Sequence, residues 1–236
     1  TAKAYINDFE PDNTTGEPRI VLNSKEASPT SIKKFLSGVG DVQLKQGESK
    51  TFDVTVSVPA DTAPGAYYGV IRYAAVPLGN DAPEPGQVSL TASVATIILI
   101  EVAGDIHEQV ELNSVRVYSK DKSAGLFTKR PDQIGVEVTN KGNGFARPFG
   151  TVSVKNPFGK QAVNYEINDT EPRGNVLPGS SRIFKNNIKG INWPGRYKVT
   201  ASISFGNGGE VLIRKASFWY LPLWFIVLVL LAMFGV

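Results

Sequence analysis

TFDVTVSVPADTAPGAYYGVIRYAAV, residues 51–76, contains the two strand signals that decide the fold. Its first part alternates polar and apolar side chains, and the apolar ones are Phe52, Val54, Val56 and Val58. A period of two is typical of a strand with one buried face. Pro64-Gly65 then indicates a turn, and residues 67–76 have the apolar and aromatic composition of a second strand. We therefore predict two consecutive strands here.

Strand signals of the same kind recur on both sides of this stretch. Residues 1–6 and 88–102 are predicted strands of the first half, and residues 77–87 are a predicted loop rich in Pro and Gly. The predicted strands of the second half are 109–118, 134–139, 150–155, 161–167, 180–188, 196–205 and 210–216. Seven strands with turns every 8–12 residues fit an antiparallel sandwich of immunoglobulin type. Ala103-Gly104-Asp105 marks the boundary between two such domains.

A short motif occurs once in each half and supports a tandem arrangement. It reads Gly-x-Ser-x-x-Phe and, after 9 or 11 further residues, Pro-Gly-x-Tyr. Its aromatic members are Phe52 and Tyr67 in the first half and Phe184 and Tyr197 in the second. We expect the Phe to enter the core and the Tyr hydroxyl to hydrogen-bond back across the turn, as in a tyrosine corner.

Residues 217–236 (SFWYLPLWFIVLVLLAMFGV) carry no charged side chain. A helix of this length spans about 30 Å, which is the thickness of the hydrocarbon core of a bilayer. Trp219, Tyr220 and Trp224 cluster at its beginning, where aromatic side chains favour the membrane–water interface. We predict a transmembrane helix over 217–236, with these three residues at the interface. A buried helix in a soluble core is the alternative interpretation.

The composition argues against catalysis. Cys is absent, which excludes a disulfide framework, thiolate metal sites and a Cys nucleophile. His107 is the single histidine, and no Gly-x-Ser-x-Gly elbow is present. We expect no catalytic residue, no cofactor and no metal ion. The acidic stretch with Asp8, Glu10 and Asp12 leaves an irregular calcium site as the alternative to a solvated loop.

The net charge of +3 conceals an asymmetry between the two halves. Residues 1–104 contain 8 Lys/Arg and 12 Asp/Glu, whereas residues 105–216 contain 17 and 10. The half nearer to the predicted span is the basic half, which suits contact with anionic lipid head groups or with anionic wall polymer. An ordinary solvated surface is the alternative. The basic residues are scattered and are not interleaved with aromatic ones, so we expect no nucleic-acid partner.

Tyr67 and Tyr73 are the candidate glycan-binding residues. They are six positions apart in one predicted strand, so they share a face, whereas Tyr68 points to the other. Their rings would offer a stacking surface to sugars. The alternative is that both rings serve the packing of the core.

The first half lacks counterparts of the strands that open the second half. An isolated first sandwich would therefore have an open edge. We expect the opening strands to lie upstream of Thr1, in a longer chain of which this sequence is a trimmed piece.

Residues 44–73 resemble the first domain of the WxL-interacting proteins of Gram-positive bacteria. The resemblance is carried by Gln46-Gly47-Glu48, by the strand end VSVP at 56–59 and by residues 65–70. An upstream Asn-Asp-Phe segment at 7–9, followed by Gly16 and Pro18, is similar too. The family order is two immunoglobulin-like domains, one C-terminal span and a short basic tail. The resemblance implies a peptidoglycan-binding first domain, a partner- or host-binding second domain, and neighbours that carry the WxL wall-binding domain.

The predicted architecture is all-β: two tandem immunoglobulin-like antiparallel β-sandwiches, 1–103 and 104–216, plus one C-terminal transmembrane α-helix, 217–236. The predicted function is non-catalytic. We expect a single-pass protein of the bacterial cell membrane with its bulk outside, which binds cell-wall peptidoglycan or another surface protein as a scaffold or adhesin. One alternative is an accessory module of a wall-active enzyme whose catalytic part lies upstream. Another is a tail-anchored protein with cytoplasmic sandwiches, which Arg214 and Lys215 beside the span would suit.

Overall fold

The structure is a computed structural model that describes residues 1–22, 27–75, 92–206 and 210–235. The chain divides into two compact units. Unit 1 comprises Thr1–Pro11 and Glu17–Ile106, and unit 2 comprises Asp12–Gly16 and His107–Val236. Both units consist of β-strands and turns, and one α-helix follows the last strand of the described chain. The predicted all-β class is confirmed.

Unit 1 has a three-stranded antiparallel sheet and two small two-stranded ones. Its strands are β1 (Ala2–Asn7), β2 (Phe9–Pro11), β3 (Pro18–Ile20), β4 (Leu36–Ser37), β5 (Thr55–Val56), β6 (Gly65–Ala75) and β7 (Ser93–Val102). The main sheet has the order β1-β6-β7, whereas β2 pairs with β3 and β4 pairs with β5. The central strand β6 is therefore hydrogen-bonded on both sides, and β7 lies at an edge.

The middle of β6 is buried on both faces. Val70 and Ile71 point to opposite faces, and both are almost fully buried. Gly69 lies where a Cβ atom would come within 2.7 Å of the Ile32 side chain and 3.0 Å of the Asn7 carbonyl oxygen. Glycine is required here because only a residue without a side chain permits this close approach.

The predicted strand over 51–58 is wrong in extent, because only Thr55–Val56 are paired there. Their partner β4 is itself two residues long. The apolar side chains of this stretch are only partly covered: Phe52 contacts the Tyr73 ring and is 38% exposed, and Val56 and Val58 are exposed as well. Only the two-residue β4 pairs with this stretch, so the period of two does not extend into a long strand. The predicted strand 88–102 is present from Ser93 onward; its residues 88–91 and the predicted loop 77–87 lie outside the described residues.

Unit 2 consists of two sheets. Its strands are β8 (Val110–Ser119), β9 (Lys122–Ser123), β10 (Leu126–Phe127), β11 (Gln133–Asn140), β12 (Phe149–Lys155), β13 (Gln161–Ile167), β14 (Ser181–Asn187), β15 (Gly195–Ser204) and β16 (Val211–Tyr220). The orders are β10-β16-β15-β12-β13 and β14-β11-β8-β9. All pairings are antiparallel except that of β10 with β16. The seven strands predicted for this half are confirmed, six of them to within a residue at each end.

The core of unit 2 lies between its two sheets. Strand alternation sends one side chain in two toward it, and Val136, Val152, Val199 and Ile203 are fully buried there. Complete burial of an aliphatic side chain of this kind stabilises the fold by about 1.5–3 kcal/mol. The sandwich arrangement therefore follows from the period of two in the sequence.

The predicted start of the C-terminal helix at residue 217 is wrong, because the last strand extends to Tyr220. Ser217–Tyr220 continue β16 and pair with the first residues of β15. Phe218 and Tyr220 are buried in the core, whereas Ser217 and Trp219 point to solvent. This inward–outward alternation is the reason that a strand forms, because a helix would remove both rings from the sandwich.

The helix α1 (Leu223–Phe234) begins directly after Pro222 and ends at Gly235. Pro222 is tolerated at this position because its missing N–H has no partner in a first helical turn. Gly235 takes a left-handed conformation, with φ 71°, and closes the helix end. Within the described residues, no helix has both the length and the apolar character that crossing a bilayer requires.

A tyrosine closes the corner before the long strand that follows each Pro-Gly turn. The Tyr197 hydroxyl donates to the Trp193 carbonyl oxygen at 2.8 Å and accepts from the Trp193 N–H at 3.1 Å. The Tyr67 hydroxyl donates to the Ala63 carbonyl oxygen at 3.0 Å. Both bonds reach back four residues, so the predicted tyrosine corners are confirmed. They differ in surroundings, because Tyr197 is fully buried whereas the Tyr67 hydrogen bond is exposed.

We expect Tyr197→Phe to lower the free energy of unfolding of unit 2 by about 1–3 kcal/mol, because the part-buried Trp193 main chain loses its partner. Urea unfolding of the full chain, followed by tryptophan fluorescence, measures this. All three tryptophans lie in unit 2, so the signal reports that unit. The matched control Tyr67→Phe should leave the transition in place. Equal stability of Tyr197→Phe and the unsubstituted chain would contradict the role of the corner.

Candidate binding surfaces

The two predicted glycan-binding tyrosines lie on the same face of β6, as their spacing requires. The Tyr67 ring packs against Phe35, with centroids 4.9 Å apart, and the Tyr73 ring contacts the edge of Phe52 at 5.4 Å. Both side chains are half-buried. Burial and the nearby Asp41 carboxylate raise the pKa of Tyr73. The structure thus gives both rings packing partners within unit 1, and their contact with glycans stays a prediction.

The acidic side chains near the N-terminus are engaged separately. The Asp8 carboxylate is buried and lies 2.8 Å from the Lys33 ammonium. Glu10 forms an exposed ion pair with Arg19 at 3.3 Å. The Asp12 carboxylate accepts from the main-chain N–H groups of the two residues after Asn13. Within the described part of the chain, no three metal-ligating side chains come together.

The Asp8–Lys33 pair is a part-buried electrostatic contact of unit 1. Burial raises the pKa of Asp8, but the hydrogen bonds from Lys33, Ser31 and the Ser28 main chain outweigh burial and hold it below its ordinary value. The carboxylate is therefore charged in the folded state. It ties the segment before β2 to the turn that contains Lys33.

Strand β7 lies at the edge of the main sheet in the described part of unit 1. Among the described residues it pairs with β6 alone. Its apolar side chains are exposed on both faces: Val94, which is opposite Tyr73, is 74% exposed, and Ile97 and Leu99 are exposed on the other face. Soluble proteins usually protect such edges with charges or Pro. The sequence of β7 contains only one charged residue, Glu101, so this edge is suited to pairing with another strand.

The end of unit 2 from which α1 leaves has a group of exposed aromatic and basic side chains. We call this group the helix-end surface; its members are Lys155, Phe158, Trp193, Arg196, Lys198 and Trp219. Phe158 and Trp193 are 69% and 60% exposed, and their rings meet edge to face with centroids 6.2 Å apart. The basic members and Trp219 line a surface cleft of about 620 Å³.

Two turns position the aromatic pair of the helix-end surface. The Asn156 side-chain oxygen accepts from the N–H groups of Phe158 and Lys160, which fixes the turn between β12 and β13. The Trp193 main chain is held by the buried Tyr197 hydroxyl. Sequence analysis missed this pair. The available signal was an aromatic residue in each of two turns, NPFG at 156–159 and NWPG at 192–195.

The predicted interface aromatics divide between the core and the surface. Trp219 is 47% exposed beside the helix-end cleft, and Trp224 is exposed in the first turn of α1. Tyr220 instead belongs to the core of unit 2, where it is opposite Phe127 of the neighbouring strand β10 and two residues after Phe218 in β16. Trp219 and Trp224 are therefore the two that remain accessible to a membrane interface.

Neither the models of known protein families nor the curated proteins include a match to this sequence. Among solved structures, the crystal structure of the C-terminal domain of wzt is similar at 12% sequence identity, over 50% of this chain and 75% of that one, with a TM-score of 0.32. A similarity of this size carries no argument about the fold or function of this chain. The resemblance to the WxL-interacting proteins stays a prediction.

We expect Asp8→Asn to lower the free energy of unfolding of the full chain by about 1–3 kcal/mol at neutral pH. The lowered pKa of Asp8 stabilises the fold above the unfolded-state value of about 3.9, and this contribution is lost as the pH falls through the folded-state pKa. Denaturant unfolding, followed by circular dichroism at a series of pH values, measures the difference.

The matched control for this prediction is Glu10→Gln, which removes a carboxylate from an exposed ion pair. Such pairs contribute at most about 1 kcal/mol. A destabilisation by Asp8→Asn that kept its full size below the pKa of Asp8 would contradict the electrostatic account.

Proposed function

We propose that this is a non-catalytic, single-pass membrane protein of the bacterial cell surface. Its β-units act outside the membrane as a scaffold or adhesin, which binds cell-wall peptidoglycan or another surface protein. The observation that carries the proposal is the environment of α1. This helix directly follows the last strand of unit 2, and every one of its 12 residues is apolar.

The described residues of the chain do not cover α1. None of its residues is buried, and Leu223, Met233 and Phe234 are among the most exposed apolar side chains of the protein. Removing apolar surface from water is favourable by a free energy of about 25 cal/mol for each Å². A helix that is apolar on every side is stable inside a protein core or inside lipid. Since no described residue supplies a core around α1, a bilayer is the environment that fits it.

The described length of α1 allows the helix to enter a bilayer but not to cross one. Its 12 residues extend about 18 Å, which is a little over half of a hydrocarbon core of about 30 Å. Trp219 and Trp224 lie on either side of Pro222, where the chain would pass through the head-group region. Arg214 also has a structural role, because its guanidinium donates to the Leu112 carbonyl oxygen within unit 2. Arg214 therefore does not by itself favour the cytoplasmic alternative.

The resemblance of residues 44–73 to a peptidoglycan-binding domain supports wall polymer as the ligand of unit 1. A second candidate ligand is an extended segment of another surface protein. The edge position of β7 in the described chain supports this candidate, because strand addition uses main-chain hydrogen bonds and pockets for alternate side chains. The exposed Val94, Ile97 and Leu99 would supply the apolar contacts.

We expect the full chain, in mild detergent, to sediment with insoluble peptidoglycan sacculi and to stay bound at high salt. Survival at high salt is the mark of a specific site, since ionic contacts between exposed groups are screened. The bound fraction at low and high salt is measured for the full chain and for Lys155→Glu/Lys198→Glu, which removes positive charge from unit 2. The substitution should not change the bound fraction.

Binding that disappears at high salt, or with the charge-reversed variant, would reduce the effect to the basic charge of unit 2 and contradict a specific wall site. Absence of binding at both salt concentrations would contradict peptidoglycan as the ligand. The polypeptide partner at the β7 edge would then be the remaining candidate.

A further inference from the structure

We infer that the helix-end surface of unit 2 binds the anionic head groups of the membrane into which α1 inserts, and so holds the sandwich down on the bilayer. This inference rests on the proposed membrane anchoring. It adds a partner of stated chemistry, an anionic lipid surface, and the residues that contact it.

The helix-end surface lies where α1 leaves the sandwich. Gly195, at the start of β15, pairs with Tyr220, the last residue of β16 before α1. The turn between β12 and β13 packs against the same point, because a Cβ atom on Gly195 would meet Pro157 at 2.6 Å. The helix-end surface thus surrounds the point at which the chain leaves the sandwich. Insertion of α1 brings this end of unit 2 to the lipid head groups.

The basic side chains of the helix-end surface form a cluster of positive charge. Lys155 and Lys198 are opposite each other in neighbouring strands, and Arg196 is next to them on the same outward face, opposite Trp219. Within the described chain, none of these three cations forms an ion pair with a carboxylate. Like charges placed side by side repel each other unless an anion binds between them. A layer of anionic head groups supplies such anions.

The charge is also polarised along unit 2. The turns at the helix end, residues 120–122, 128–132, 156–160 and 188–194, contain six basic and two acidic residues. The turns at the opposite end, residues 107–109, 141–148, 168–180, 205–206 and 210, contain three basic and four acidic residues. An ordinary solvated surface has no reason to sort its charges in this way. An anionic plane at one end of the sandwich accounts for the sorting.

The helix-end surface also presents an aromatic pair to solvent. Phe158 and Trp193 are exposed although they are large, and their turns are fixed by hydrogen bonds, so the rings are held outward in the free protein. Aromatic rings with basic neighbours are the composition that favours the interface of an anionic bilayer. The cleft between the basic side chains and Trp219 is large enough for a phosphate head group.

The test uses the full chain with Trp219→Phe and Trp224→Phe, so that Trp193 is the single fluorophore. The protein is reconstituted into vesicles of phosphatidylcholine alone or of phosphatidylcholine with phosphatidylglycerol. Acrylamide quenching of Trp193 measures its exposure, and flotation of the vesicles measures anchoring by α1. We expect quenching to fall several-fold in the anionic vesicles and to return at high salt.

The charge-reversed variant Lys155→Glu/Lys198→Glu should float with the vesicles but show the same quenching in both kinds of vesicle. Lys141→Glu/Arg147→Glu, which changes the charge equally at the opposite end of unit 2, should behave as the parent protein. These two variants separate the position of the charge from its amount.

Each other outcome contradicts a defined part of the account. Flotation with equal quenching of Trp193 in the two vesicle types would overturn the helix-end surface and leave the anchor standing. Failure to float would overturn the anchor, and the inference with it. Protection of Trp193 in phosphatidylcholine vesicles by an added soluble polyphosphate, but not by phosphatidylglycerol, would overturn lipid as the source of the phosphate.

Discussion

The organisation of unit 2 depends on the side chain of Tyr197. Its hydroxyl holds both polar groups of the Trp193 main chain, and its ring stacks on Phe218 with centroids 5.1 Å apart and planes 9° apart. Burial raises the pKa of this phenol, so it stays a neutral donor. Because Phe218 is two residues before the end of β16, this one side chain fixes the turn before β15, the end of β16 and the departure point of α1. The hydrogen bonds of the Tyr197 hydroxyl also hold the main chain of the exposed Trp193 in place.

The two units differ in how completely they cover their apolar surface. In unit 2 two sheets cover the apolar side chains of the inward side, and the outward side carries basic residues together with exposed apolar ones such as Ile213 and Trp219. In unit 1 the strand alternation leaves Phe52, Val94 and Ile97 in contact with solvent in the described chain. Exposed apolar surface next to an unpaired strand edge is a typical feature of sites that bind a partner. We propose unit 1 as the place of ligand recognition and unit 2 as the unit that attaches to the membrane.

The sequence predicted well those features that depend on local periodicity. The strands of unit 2 and both tyrosine corners follow from a period of two and from Pro-Gly-x-Tyr, because each signal lies within a few residues of the structure that it specifies. Prediction from the sequence failed where a tertiary contact decides whether a segment forms a helix or a strand. Residues 217–220 satisfy a hydropathy pattern for a helix, but the pairing with β15 and the burial of Phe218 make them a strand. The stretch 51–58 has the alternation of a long strand, but only Thr55–Val56 are paired there, because the described chain supplies no long partner strand.

The helix-end surface could not be predicted from the sequence, because its members are far apart in the chain. Phe158 and Trp193 are 35 residues apart, and the three cations come from two strands, so only the sheet order brings them to one end. Composition showed a basic second half but not the sorting of charge along the strands. Of the predicted site residues, Trp219 and Trp224 kept an exposed position, Tyr220 is in the core, and Tyr67 and Tyr73 pack within unit 1.

The central claim is that α1 lies inside a bilayer. The most direct measurement is the quenching of Trp224, in a Trp193→Phe/Trp219→Phe background, by lipids that carry bromine at different depths of the acyl chain. The account predicts strong quenching by the shallow bromines, weaker quenching by the deep ones, and little quenching by aqueous acrylamide. Efficient quenching by acrylamide, with no effect of any brominated lipid, would show that α1 stays in water and would contradict the account.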